Sequence, residues 1–213
     1  MRGFWTALSD LPASARWSIV GTIGVILALL LGSGGWALLQ RRETLARREF
    51  APVAAGYRQA VTPGQEASLG AAAESLKQFL KDYPRSGPAA EAWLLLGNVE
   101  YQRRAYDAAV TAFGEAERRG TGDLVGLSRL GRGYAWEAKG EAARALEVFK
   151  AALDGRDPKD FLYGELLLAV ARAQESLKQR DAAVESYKRF LRDVPSSARA
   201  DEVRIRLALL GAS

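Results

Sequence analysis

Glu91, Leu94, Asn98 and Tyr101 follow one another at intervals of three, four and three residues, so on a helix they share one face. A carboxylate, an apolar side chain, an amide and an amphipathic phenol on one stripe could hold an extended peptide or a helix. Arg172 and Glu175 are the corresponding pair nearer the C-terminus and are expected to extend that surface. The chemistry on offer is recognition. A plain solvated helix face carries the same residue types, so the stripe needs elements that turn it toward a groove.

Catalysis finds no comparable support. The chain has no cysteine and no histidine, which removes disulfides, thiol nucleophiles, thiolate or imidazole metal sites and histidine-based triads. Gly120-x-Gly122 is followed by Gly126, one residue too late for a dinucleotide-binding loop, and no GxxxxGK[ST] occurs. Aspartates and glutamates alternate with lysines and arginines, as on solvated faces. No enzyme activity and no cofactor are expected. The net charge of +5 is unevenly placed: Arg41, Arg42, Arg47 and Arg48 form a short basic stretch. With Arg2, Arg16 and Asp10 set aside, the body from residue 41 holds 28 basic against 24 acidic residues, which argues against nucleic acid as a partner.

The elements that must carry the stripe are helices. Breakers fall at Thr62-Pro63-Gly64, Pro84 to Pro88, Gly120-Thr121-Gly122, Asp154 to Pro158 and Pro195-Ser196-Ser197, and apolar residues recur between them at three and four. Residues 71–84, AAAESLKQFLKDYP, match residues 182–195, AAVESYKRFLRDVP, at nine of fourteen positions. That is an internal repeat. Trp93-x2-Leu96-Gly97 followed by Ala109-x3-Phe113 resembles the tetratricopeptide repeat (TPR), and the second-helix signature returns as Ala72-x3-Leu76, Ala145-x3-Phe149 and Ala183-x3-Tyr187. The small Ala lets the two helices of a hairpin approach, bulky neighbours fill the groove, and hairpins too apolar to stand alone stack into a superhelix. Gly97 is expected at the helix crossing and Gly140 in a turn that needs an open backbone. Three places depart from the pattern: Glu100 stands where a tyrosine is expected, the third unit offers both Gly131 and Gly133 for one crossing position, and the first unit's opening helix lacks Leu-Gly. The TPR clamp for chaperone C-termini needs a lysine where Leu94 stands, so that ligand is not expected.

Upstream lies an uncharged run from Trp17 to Leu39, eleven of whose 23 residues are Leu, Ile or Val. As a helix at about 1.5 Å per residue it reaches roughly 35 Å, enough for a hydrocarbon core of about 30 Å. Trp17 and Trp36 sit near its ends, where indole rings prefer the interface. A cleaved signal peptide is the competing reading; Gly35-Trp36-Ala37 makes a poor cleavage site, and an uncleaved span is preferred. Gly24, Ala28 and Gly32 recur every four residues and offer a face for close packing with another membrane helix. The cations flanking the span, Arg2 and Arg16 before it and Arg41, Arg42, Arg47 and Arg48 after it, lean toward a cytoplasmic C-terminal domain.

The fold expected is therefore all-α: a short segment over 1–16, a transmembrane helix over 17–39, a basic connecting helix kinked at Pro52 over 40–60, and over 61–213 a TPR superhelix of about four hairpins closed by a C-terminal helix. This layout resembles the bacterial inner-membrane TPR family of YfgM-like proteins, ancillary to the SecYEG translocon. The stretch FLKDYPRSGPAAEAWLLLGNVEY is also similar to periplasmic TPR proteins of the Tol-Pal and outer-membrane assembly systems. The resemblance implies a single-pass inner-membrane protein with a periplasmic TPR domain, acting as a scaffold for translocon subunits, chaperones or exported chains. An adaptor for another membrane complex, facing the cytoplasm, is the alternative. Self-association into a homo-oligomer is compatible with either.

Overall fold

The computed structural model describes residues 13–212, and the side chains of most residues from 13 to 37 lie outside that description. Ala28 and Gly32, expected at a membrane packing face, are among those; Gly24 has nothing near its backbone. The chain divides into two compact units, Met1–Ala46 and Arg47–Ser213. Helix α1, Ala13–Ala60, runs through the apolar segment, the basic stretch and Pro52 as one element. Among the described residues no helix is long and apolar enough to cross a membrane.

In the second unit the end of α1 is followed by a short 3-10 turn, Glu66–Ser68, and eight helices. These are α2 (Leu69–Asp82), α3 (Ala89–Gln102), α4 (Tyr106–Arg119), α5 (Asp123–Ala138), α6 (Ala142–Leu153), α7 (Tyr163–Ser176), α8 (Arg180–Asp193) and α9 (Ala200–Leu209). From α2 onward each helix packs on the next, and α3 also touches α5 across α4. Hairpins α3–α4, α5–α6 and α7–α8 are thus stacked in chain order. They follow the α1–α2 pair and are covered by the lone α9.

Backbone chemistry repeats with the sequence. The turns inside the three hairpins place Arg104, Gly140 and Lys178 in the left-handed region, at φ 61°, 80° and 58°. Behind each, the next amide closes on a carbonyl five residues back: Ala105 donates to Glu100, Glu141 to Trp136 and Gln179 to Gln174, all at 2.9 Å. These bonds satisfy carbonyls that a helix end would otherwise leave open. The connections between hairpins match too. Tyr83 and Val194 end α2 and α8 at φ −127°, ψ 51° and φ −132°, ψ 56°. Ala89 and Ala200 then open α3 and α9 with amides donating to Ser86 and Ser197 at 3.0 Å. Residues 71–92 and 182–203 are therefore one backbone design used twice.

The core is built from small residues facing large ones. Ala109, Ala145 and Ala183 are fully buried, with Ala72 nearly so. A Cβ placed on Gly97 would stand 2.6 Å from the ring of Phe113, and so would one on Gly131, while Gly133 lies against Phe149. Both glycines of the third unit are used: Gly131 admits the phenylalanine of the preceding hairpin and Gly133 that of its own. Glu100 is buried at 2 % exposure. Its carboxylate meets Lys77 Nζ of α2 at 3.0 Å and Arg103 Nη1 at 2.8 Å. The expected tyrosine is replaced by an ion pair that ties α3 to the hairpin before it.

Gly140 carries the left-handed turn at no steric cost, whereas Lys178 adopts the same conformation with a side chain. Gly140→Ala is expected to lower unfolding free energy by about 1 kcal/mol. Lys178→Gly should leave the thermal midpoint unchanged or raise it. Equal behaviour of the two variants in thermal denaturation would contradict the turn assignment.

Candidate functional site

Gly133 sets the register of α5 through its contact with Phe149, as Gly97 sets that of α3 through Phe113. Tyr134 then corresponds to Asn98, and Glu137 to Tyr101. Counting back twelve residues from Ala183, as from Ala109 to Gly97, Ala171 takes the same place in α7. Arg172 and Glu175 are thereby aligned with Asn98 and Tyr101, and Glu165 with Glu91. Residues at these positions project from the first helix of each hairpin, and in a stacked array the first helices line one side.

The structure joins them into a polar ladder. The Tyr134 hydroxyl donates to Glu165, and Arg172 Nη2 lies 3.4 Å from that hydroxyl. Arg172 also approaches Glu165 at 3.8 Å and Glu137 at 4.0 Å. The other oxygen of Glu165 accepts from Nη1 of Arg199, the residue just before α9, at 2.7 Å, and Arg199 continues to Glu202 at 3.0 Å. Glu175 accepts from the Tyr187 hydroxyl at 3.0 Å and pairs with Arg206 at 3.4 Å. Side chains of α5, α7, α8 and α9 are thus linked by charge-assisted bonds, which are stronger than neutral ones.

Half-burial gives the ladder its electrostatic character. Burial pushes the Tyr134 phenol well above its ordinary value, with the Glu165 carboxylate adding to it, and Tyr187 is raised in the same way by burial and Glu175. Burial also raises the Glu137 carboxyl; Arg172 works against this and Glu165 adds to it. For Arg172, burial opposes the charge, but the bond to Tyr134 and the two carboxylates outweigh it, so its pKa rises. Tyr101 is raised by burial first, and the charges of Glu137 and Arg172 reach it.

Family models for the tetratricopeptide repeat match residues 67–123 and 106–161, and a second such model matches residues 165–197. Together they span more than half the chain. The chain belongs to the tetratricopeptide-repeat family. The crystal structure of a thermophilic TPR protein from Thermus thermophilus superposes with a TM-score of 0.56 at 23 % identity, covering 85 % of this chain and 96 % of that one. This likeness bears on the fold. No curated protein matches the chain in sequence. As TPR arrays do, the repeats make a scaffold for protein interaction.

Of the six residues expected on the binding face, Arg172 and Glu175 belong to the ladder and Tyr101 stands at its edge, its ring 5.6 Å from that of Tyr106. Asn98 donates to the Tyr57 hydroxyl of α1 at 3.2 Å, joining first helices of neighbouring units. Leu94 packs with Ala109, Phe113 and Ala135 in the core, and Glu91 is exposed. Tyr134, Glu137, Glu165, Arg199 and Arg206 were not among the expected residues. The signal for the first two was present, since choosing Gly133 over Gly131 as the crossing residue yields both.

Arg172→Met removes the cation shared by Glu137, Glu165 and Tyr134, at an expected cost of about 2 kcal/mol. With its pKa raised, Glu137 contributes stability below its unfolded value of 4.5 and loses it as pH rises through the folded value. Without Arg172 that folded value climbs further. The stability deficit of the variant should therefore be larger at pH 7 than at pH 5. A deficit independent of pH would show that Arg172 does not act on the Glu137 carboxyl.

Proposed function

We propose that the chain is a membrane-anchored TPR scaffold that holds a protein partner along its first-helix face. The observation that carries this reading is the ladder from Tyr134 to Arg206, bordered by Tyr101: fixed donors, acceptors and an exposed ring along successive first helices suit an extended segment or a helix. No catalytic group is needed for such work. The membrane anchor rests on the uncharged run over 17–39, which lies within α1. Leu29, Trp36, Leu38 and Leu39 stand largely exposed there, as they would on a helix surrounded by lipid. The resemblance to YfgM-like proteins supports a periplasmic repeat domain in the bacterial inner membrane, working with SecYEG, chaperones or exported chains. A second reading, a cytoplasmic adaptor for another membrane complex, is favoured by the four arginines that follow the run.

A photoreactive residue in place of Tyr101 is expected to cross-link a partner in cells, whereas the same probe at Glu147, exposed on α6, is not. Equal yields at the two positions would remove the first-helix face from the proposal. The absence of cysteine makes orientation directly measurable. With Ser213→Cys, labelling of intact, outer-membrane-permeabilised cells by an impermeant maleimide is the result expected of a periplasmic domain. Labelling only after lysis would favour the cytoplasmic adaptor.

A further inference from the structure

Residues 182–203 repeat residues 71–92, and the correspondence continues along the helices that follow. At the same offset Leu191 answers to Leu80, Arg204 to Trp93, Leu207 to Leu96 and Ala208 to Gly97. Leu80, Leu96 and Gly97 are buried, and the ring of Phe113 lies against Gly97. On α8 and α9 Leu207 is buried as well, but Leu191 is half-buried and Arg204 and Ala208 are exposed. Leu191, Arg204, Leu207, Ala208, Gly211 and Ala212 line a cavity of about 560 Å³. Beside it Ile205 and Leu209, the counterparts of Leu94 and Asn98, stand 62 % and 78 % exposed.

We propose that this cavity is a docking seat for one amphipathic helix of a partner protein, shaped like the second helices of the repeats. The interior hairpins show what such a seat accepts: a buried alanine, then an aromatic ring four residues later placed against a small residue on the first helix. Ala208 supplies the small residue, as Ala171 does in the α7–α8 hairpin, where it shares a core cluster with Tyr187. Arg204 supplies a charge preference. Its counterpart in the third unit, Arg129, donates to the Ala151 carbonyl near the C-terminal end of α6 and pairs with Glu117 at 2.8 Å. Arg204 is exposed and, among the described residues, pairs locally with Asp201. It therefore favours the carbonyl-rich C-terminal end of a seated helix, or an acidic side chain in its last turn. The second helices of this chain that bear the Ala-x3-aromatic signature, α4, α6 and α8, are already seated in their own hairpins. A second copy offers none of them free. This surface is separate from the first-helix ladder, and its occupation does not depend on the partner proposed there.

A fluorescent peptide copying residues 105–120, which carries Ala109 and Phe113, is the probe, titrated against the full-length protein in detergent. It should bind, and its Phe113→Ala version should bind about tenfold more weakly or worse. Ala208→Trp in the protein, at an exposed position, should weaken the parent peptide comparably, and an Arg119→Glu peptide should bind more tightly. Binding no better than a scrambled peptide would overturn the proposal, as would affinity unchanged by Ala208→Trp. A concentration-dependent dimer that Ala208→Trp dissociates would overturn it in favour of a second copy.

Discussion

The ring of Phe113 stands where a side-chain carbon on Gly97 or on Gly131 would have to be. One residue of α4 thereby sets how closely α3 and α5 approach, and Phe149 does the same against Gly133 one hairpin later. Interiors packed at this density do not deform smoothly, so each crossing has one good geometry. The direct contact of α3 with α5 follows from it. So does the alignment of first helices that lets Tyr134 reach Glu165 on the next.

Because each hairpin touches chiefly its neighbours, stability in such an array is close to a sum of local interfaces. The joints are not chemically alike. Between α2 and α3 a buried Glu100 draws in Lys77, and between α5 and α7 the phenol of Tyr134 and the guanidinium of Arg172 do the linking. Between α7 and the start of α9 the link is Glu165 to Arg199, the residue that precedes the helix. Polar joints specify geometry while adding less net stability than apolar ones of similar size. That division places rigidity in the Phe–Gly crossings.

Most of the architecture was legible in the sequence because the repeat writes its constraints into single residues. The alanines at 72, 109, 145 and 183, and the glycine at 140, have the roles their spacing implies. Two departures were not legible, for physical reasons. A glutamate in a tyrosine position reads as a defect until Lys77, on a different helix, is seen to meet it. Two glycines two residues apart cannot both mark one crossing, and only the facing rings reveal that they serve different hairpins. The polar ladder was half legible: Arg172 and Glu175 came from counting, but Leu94 is half-buried against the core and Glu165 emerges only through its partners.

The central claim, that the Phe–Gly crossing sets hairpin spacing, is tested most directly by a double-mutant cycle on Gly97→Ala and Phe113→Leu. Alone, the added methyl should cost about 1–3 kcal/mol by overpacking. With the ring shortened to leucine the same methyl should cost much less, giving a favourable coupling energy above about 1 kcal/mol. Additive losses, or a Gly97→Ala variant as stable as the parent, would contradict the account.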